Sequence, residues 1–336
     1  CIEAPKAYIK SGNTTFTPVD GKWNLLTVLE FDYFANFDSK GGSAVSIGTF
    51  LTGGIVSEPT VPTRTGYGFT GWSMTDSVAD GGTAVAFPYA PSGDITLFAN
   101  WFEDGNFLCS GARAEADDTN VYNITGGVVS NGGACTGDVV IPDGATHIGT
   151  GAFANALVTS ISLPDSLIEI GTQAFLGTGL TAITIPKNLS TMGVGVFQNA
   201  FALTSITVAE PNVNYTSSSD GVLFNEALTK LIAYPLGKTE TTYTIPSGVT
   251  TIGDRAFMSS SLTTVIISPD VATMEDLAFF CSMKLNSYVF LGDAPVLGNS
   301  SVGCGGAAGP NALIKSGNTS FTLDADGKWN GLSVLE

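Results

Sequence analysis

The feature that most constrains this chain is a phrase that recurs every 22 residues from Ile141 onward. Three landmarks advance in phase: an Ile-Pro or Leu-Pro pair, an Ile-Gly or Met-Gly pair, and an Ala-Phe or Val-Phe pair. The aromatic landmark falls at Phe153, Phe175, Phe197, Phe257 and Phe279. A unit this short cannot shield its own apolar residues, so each unit must bury them against its neighbours. The sequence therefore predicts a solenoid whose core these phenylalanines line.

Within each unit, the local pattern predicts one strand and one bend. Residues 160–163 alternate between polar and β-branched or aliphatic side chains, which is typical of a strand, and Pro164 ends it because proline cannot donate to a ladder. The glycines of the second landmark are Gly149, Gly171, Gly193 and Gly253. We expect them to mark a bend that needs either a positive φ or a close approach of backbone.

These landmarks resemble the BspA-type leucine-rich repeat of bacterial and protist surface proteins, over about residues 121–310. The resemblance implies a mainly β, leucine-rich-repeat solenoid of about 22-residue coils, which we place at residues 105–310. The step breaks between Val208 and Ile245, where 220–224 and 231–235 predict the strands of an inserted hairpin within about residues 209–244. Such an arm is also common in the family that the repeats resemble.

The first hundred residues lack the 22-residue repeat and show a different pattern. Alternating apolar positions in 31–37 and 95–101 predict two amphipathic strands of a small sheet. The phrases at 37–42, 62–67, 69–72 and 97–101 resemble the internalin-type B-repeat, also called the Listeria-Bacteroides repeat. That resemblance implies a small β-grasp-like domain at residues 31–104 that precedes the solenoid and acts as a spacer.

A third repeat links the two ends of the sequence. Residues 9–14 return at 314–319, and residues 21–24 and 28–30 return at 327–330 and 334–336. We predict that 311–336 is the cap that covers the open apolar face of the solenoid. Residues 1–30 are then expected to be the cap of a preceding repeat unit in a tandem array. The alternative is that they pack into another subunit, and both hypotheses predict head-to-tail continuation.

The five cysteines suggest disulfides. Cys109 and Cys135 bracket the start of the solenoid, and we expect them to be joined. Cys281 and Cys304 fall at near-equivalent positions of adjacent coils, about 4.8 Å apart, which permits a second bridge; buried free thiols are the alternative. Cys1 matches Cys304 in a preceding period, although a lipidated N-terminal cysteine is another interpretation. Disulfides favour an oxidising setting outside the cytoplasm.

Charge and composition exclude several classes of function. The chain has 30 acidic and 13 basic residues, and its net charge of −17 repels nucleic acids and anionic lipid surfaces. One histidine, His147, cannot build a histidine metal cluster, and a carboxylate-based hydrolase is only a remote alternative. We expect no cofactor. Ordinary solvated acids are the expected role of Asp117, Asp118 and the loop 324–327, and structural calcium is the alternative. No apolar run is long enough to span a membrane.

These observations favour a non-catalytic protein of the cell surface or extracellular space. We expect either a tandem-repeat adhesin that binds a protein or glycan, or a unit of a surface fibre that joins further copies of itself head-to-tail. Tyr215, Tyr234 and Tyr243 flank the arm and form a candidate partner surface. The alternative is that these tyrosines close the arm onto the solenoid.

Overall fold

The computed structural model describes residues 6–11, 22–23, 26–75, 85–115, 118–302 and 310–336. It divides into two compact units, Cys1–Asp104 and Gly105–Glu336. Within the described ranges the regular elements are β-strands and one 3₁₀ turn at Gly132–Ala134. None of these residues forms a helix long and apolar enough to cross a membrane.

The first unit contains two sheets. Its strands are β1 (Lys6–Lys10), β2 (Lys22–Trp23), β3 (Leu26–Phe31), β4 (Tyr33–Asp38), β5 (Gly48–Phe50), β6 (Tyr67–Ser73) and β7 (Ile95–Glu103). In the smaller sheet, β3 lies between β1, which is parallel to it, and the antiparallel β2. The larger sheet has the order β5-β4-β7-β6, with β4 and β7 parallel. Its core holds Phe37, Trp72 and Leu97, because alternate residues of each strand face inward.

The second unit is built from short strands and a hairpin arm. Its strands are β8 (Gly105–Leu108), β9 (Val121–Thr125), β10 (Val128–Ser130), β11 (Thr136–Val140), β12 (His147–Ile148), β13 (Leu157–Ser162), β14 (Glu169–Ile170), β15 (Ala182–Ile185), β16 (Thr191–Met192), β17 (Ser205–Val208), β18 (Tyr215–Ser217), β19 (Leu223–Asn225), β20 (Lys230–Ala233), β21 (Thr242–Thr244), β22 (Thr251–Ile252), β23 (Thr264–Ile267), β24 (Thr273–Met274), β25 (Ser287–Phe290), β26 (Val296–Leu297), β27 (Asn311–Leu313), β28 (Lys328–Trp329) and β29 (Leu332–Leu335).

Successive coils pair in register, as a solenoid requires. We number them coil 1 (141–162), coil 2 (163–184), coil 3 (185–208), coil 4 (209–244), coil 5 (245–266) and coil 6 (267–289). Each regular coil contributes a two-residue strand to one side and a longer strand to the other. The two-residue strands β12, β14 and β16 pair in parallel, and β22, β24 and β26 do the same beyond the arm. The second unit is therefore the β-solenoid of about 22-residue coils that the repeats predicted.

The break in the 22-residue step is an antiparallel arm within coil 4. Strands β18, β19 and β20 form a meander, in which β19 pairs with both neighbours. Strand β20 then pairs in parallel with β22 of coil 5. Lys230 and Leu231 of β20 thus take the place of the two-residue strand in coil 4, and the parallel ladder continues from them.

The landmark glycines allow adjacent coils to approach closely. A Cβ atom on Gly171 would lie 2.6 Å from the backbone nitrogen of Thr150 in coil 1, and one on Gly193 would overlap the backbone nitrogen of Thr172. The φ angles of these glycines lie outside the left-handed region. Close backbone approach, and not a positive φ, is therefore the reason for glycine at these positions.

The phenylalanines of the third landmark line the core. Phe153, Phe175, Phe257 and Phe279 are fully buried, and Phe197 is nearly so. Their rings stack from one coil to the next, with centroids 5.8 Å apart for Phe153 and Phe175. Each ring is shielded by residues of other coils, which explains why one coil alone has no core.

Candidate functional site

A disulfide joins the two cysteines at the start of the solenoid. Cys109 and Cys135 are bonded with their Cα atoms 5.7 Å apart, and both are buried. The bond ties the end of β8 to the residues before β11, where the core has no earlier coil to cover it. The bridge expected between Cys281 and Cys304 stays a prediction, because Cys304 lies outside the described residues. Cys1 lies outside them too. Asp117 of the suggested calcium loop lies outside them as well.

The structure corrects the interpretation of two arm tyrosines as a partner surface. Tyr234 is only 5% exposed and Tyr243 only 8%. The ring of Tyr234 stacks on Phe257 with centroids 5.0 Å apart, so Tyr234 takes the landmark position, at which coil 4 has no phenylalanine. The physical reason is that β20 re-enters the ladder, and the residue after it must fill the core.

Tyr215 lies at the edge of the arm and is half-buried. Its hydroxyl donates a 3.4 Å hydrogen bond to the carbonyl of Ser190 in coil 3. This contact closes β18 onto the solenoid. Of the three tyrosines, only Tyr215 therefore retains surface that a partner can reach.

The outer face of the longer strands is a regular surface of the second unit. Each of these strands places one residue at an equivalent position of this face, and we call this set the outward row: Ser162, Thr184, Thr207, Thr244, Ile266, Val289, Leu313 and Leu335. Strand pairing fixes the register between Thr184 and Thr207 and from Thr244 to Leu335. The row changes from hydroxyl side chains, before and at coil 4, to aliphatic ones after it. Thr184 and Thr207 hydrogen-bond through their hydroxyls at 2.9 Å.

A second row lies beside the outward row and is also free of charge. Its members are Ser160, Ala182, Ser205, Thr242, Thr264, Ser287, Asn311 and Ser333. Short uncharged side chains on paired strands lose little conformational entropy when a partner covers them. The sequence predicts binding through an exposed strand face of the solenoid but these residues were not identified from it, although the 22-residue step combined with strand alternation was a signal that pointed to them.

The remaining polar candidates have local roles. Nδ1 of His147 lies 2.8 Å from the hydroxyl oxygen of Thr146, and Nε2 lies 3.7 Å from a carboxylate oxygen of Glu169. Thr146 and Glu169 are both partly exposed. The Asp324 carboxylate accepts hydrogen bonds from the amides of Asp326 and Lys328 in its own turn. Within the described part of the chain, no group of three His, Cys, Asp or Glu side chains is placed to hold a metal.

Comparison with family profiles identifies both parts of the chain. The BspA type leucine rich repeat region matches residues 133–242 and 237–302 in six copies. The Listeria-Bacteroides repeat domain matches residues 33–100.

Several solved structures are similar to this chain. The pneumococcal vaccine antigen PcpA is 19% identical, with 59% of this chain and 64% of that one aligned and a TM-score of 0.42. A leucine rich cell surface protein from Faecalibacterium prausnitzii is 23% identical, with 60% and 59% aligned and a TM-score of 0.41. A leucine-rich repeat protein from Eubacterium ventriosum is 19% identical, with 63% and 78% aligned and a TM-score of 0.41. The chain spans less than two thirds of the first two, and no curated protein matches it.

Proposed function

Because this chain belongs to the BspA-type leucine-rich repeat family, whose profile covers residues 133–302, we propose that it is a non-catalytic adhesin that binds another protein outside the cell. Proteins of this family lie at the cell surface and are typically not enzymes. The disulfide between Cys109 and Cys135 supports an oxidising compartment, since such bonds are rare in reducing cytosol.

The observation that carries the proposal is the outward row with its neighbouring row. Together they give a face that is free of charge from coil 1 onward, with hydroxyl groups at one end and aliphatic side chains at the other. Protein interfaces are depleted of charge at their centre and combine apolar contacts with hydrogen bonds. The face offers both kinds of group, on strands that pair within β15–β17 and within β21–β29.

A protein partner fits this face better than a glycan does. Glycans are commonly held by exposed aromatic rings, whose flat surfaces give contact area at little entropic cost. Of the three arm tyrosines, Tyr234 and Tyr243 are in the core. The outward row itself contains no aromatic side chain.

Adhesion of coated beads to cultured epithelial cells tests the proposal. We expect adhesion to fall after trypsin treatment of the cells and to survive periodate oxidation of their glycans. Thr207→Arg places a large charge in the outward row and should reduce adhesion at least tenfold. Thr191→Arg is the control, because Thr191 is exposed on the opposite strands of the same coil. Equal adhesion of both variants would show that another surface binds the partner.

A second candidate function, a head-to-tail filament, is favoured by one observation in the first unit. Strands β1, β3 and β2 repeat the arrangement of β27, β29 and β28, with Ala7 opposite Val28 as Ala312 is opposite Val334. The other edge of β27 is covered by β25 of the solenoid. Among the described residues, no strand covers the corresponding edge of β1.

We therefore propose that the edge of β1 pairs with β25 of another copy, where it displaces that copy's own β27. Light scattering during size-exclusion chromatography of the full chain tests this, because head-to-tail joining makes the mass grow with concentration. A single chain mass at every concentration rules the filament out and leaves the adhesin proposal unaffected.

A further inference from the structure

The bends of the solenoid form a hydrogen-bond ladder of their own. In coil 1 the amides of Gly151, Phe153 and Asn155 donate to three carbonyls of coil 2 at 2.7 to 2.9 Å. The same three positions of coil 2 donate to coil 3, and those of coil 5 donate to coil 6. We call this pattern the bend ladder. In the bend ladder, three alternate amides of one coil donate to three alternate carbonyls of the next coil.

The bend ladder is missing at one junction. The amides of Gly195, Phe197 and Asn199 in coil 3 have no acceptor among the described residues. The chain leaves coil 3 to form the arm, and coil 4 has only a shortened bend, from which Tyr234 alone donates to coil 5. Phe197 is buried, and buried backbone amides are nearly always paired, so its unpaired donor requires a reason.

A cavity of about 250 Å³ lies where this rung is missing. Gly195 and Phe197 form one wall, and Leu236 of the shortened bend lines another. Lys230 and Glu275, which form an ion pair at 2.7 Å, also line it, as does a second ion pair in coil 5. Each charge is therefore already matched, and the cavity does not select for a charged ligand.

We propose that this cavity binds a peptide segment of a partner protein, whose backbone carbonyls complete the bend ladder at Gly195 and Phe197. The donors are two residues apart, and a peptide that runs alongside presents a carbonyl on one side at every second residue. Addition of a peptide to an unpaired backbone edge is a common mode of recognition.

The size of the cavity restricts the peptide. Its volume is below the roughly 300–1,000 Å³ of pockets that hold drug-sized ligands. A Cβ atom on Gly195 would already lie 3.2 Å from the side chain of Arg255. The cavity therefore holds only part of the segment, and the side chains that enter it must be small, such as Ala, Ser, Thr or Gly. The inference rests on the proposed function in one respect, that the partner is a protein.

Amide exchange and chemical shifts of the ¹⁵N-labelled full chain test the proposal. The probe is the blocked peptide acetyl-Ser-Ala-Thr-Ala-Gly-amide. In the free chain the amides of Gly195 and Phe197 should exchange at least tenfold faster than those of Gln173 and Phe175, their equivalents in the complete ladder. The peptide should shift the resonances of Gly195 and Phe197 and slow their exchange at least tenfold, without effect on coil 2.

Two matched variants locate the binding. Gly195 and Gly151 occupy equivalent positions and share a φ of +62°, and Gln173 holds that position in coil 2 at +55°. Glutamine is therefore tolerated there. Gly195→Gln places a side chain at the cavity wall and should weaken peptide binding at least tenfold. Gly151→Gln should leave it unchanged, because the ladder at coil 1 is complete.

Three results would overturn the proposal. One is slow exchange of Gly195 and Phe197 in the free chain, and another is equal peptide binding by both glutamine variants. The third is a shift of these amides by N-acetylglucosamine and not by the peptide, which would make this a sugar site. If the peptide has no effect while Thr207→Arg reduces adhesion, only the inference about the cavity is wrong. If the peptide binds while Thr207→Arg leaves adhesion unchanged, the outward row is not the adhesive surface.

Discussion

The rings of Phe175 and Phe197 stack with centroids 6.0 Å apart and planes within 9° of each other, although they belong to successive coils. Phe257 and Phe279 repeat this relationship beyond the arm, at 4.7 Å and 9°. The ring of Phe175 touches Phe153 before it and Phe197 after it. The loss of one ring therefore affects three coils, which makes these positions the first place to test the fold.

Phe175→Ala should lower the free energy of unfolding by about 3–5 kcal/mol, because it removes a fully buried ring and leaves a cavity. Phe201→Ala is the matched control in the next coil, since Phe201 is 61% exposed, and its effect should stay within about 0.5 kcal/mol. Urea denaturation followed by circular dichroism measures both. Similar losses for the two variants would contradict the stacked core.

Gly193→Ala should destabilise the solenoid by about 1–3 kcal/mol, because the added methyl group meets the backbone of Thr172 and not a mobile side chain. Gly133→Ala provides the comparison, since its Cβ atom would have only the carbonyl oxygen of Ala154 nearby, at 3.9 Å. That variant should unfold within about 0.5 kcal/mol of the parent chain. If Gly193→Ala is neutral in the same urea titration, adjacent coils lie further apart than the structure places them.

The sequence was sufficient to predict features that follow from the 22-residue step alone. The positions of Phe153 and Phe279 are of this kind, since a fixed step places equivalent residues above one another. Tyr234 was not predictable in this way, because its place in the core depends on where β20 re-enters the ladder after the arm. The unpaired amide of Gly195 could not be predicted from the sequence either, because its lack of an acceptor depends on the path of coil 4.

The disulfide between Cys109 and Cys135 should contribute about 3 kcal/mol, since it closes a loop of moderate length in the unfolded chain. A double variant, Cys109→Ala with Cys135→Ala, should lower the urea midpoint accordingly and speed amide exchange in β11. Adding dithiothreitol to this variant examines the predicted bond between Cys281 and Cys304, because a further fall in the midpoint requires another disulfide. No change on loss of the first bond would show that the start of the solenoid is held by packing alone.

Two buried tyrosines should respond in opposite directions when their hydroxyls are removed. The hydroxyl of Tyr122 donates a 2.6 Å hydrogen bond to the carbonyl of Val140, so Tyr122→Phe should cost about 1 kcal/mol. The hydroxyl of Tyr234 is buried without a partner among the described residues, so Tyr234→Phe should raise the free energy of unfolding by about 1 kcal/mol. Thermal and urea unfolding of the two variants measure the difference. A loss in both would mean that Tyr234 has a hydrogen bond in solution.

The same tyrosines predict a loss of stability at alkaline pH. Burial raises the pKa of Tyr122, Tyr234 and Tyr243 above the ordinary value of 10.0, and nearby acids such as Asp220 raise it further for the latter two. Above pH 10 the unfolded chain releases these protons while the folded chain keeps them. The unfolded state then binds fewer protons, so stability falls as pH rises, by up to about 1.4 kcal/mol per pH unit for each tyrosine. Urea midpoints from pH 8 to 11 should decline only above pH 10, and less steeply in Tyr234→Phe; an unchanged slope in that variant would show that Tyr234 ionises as readily in the folded chain as in the unfolded one.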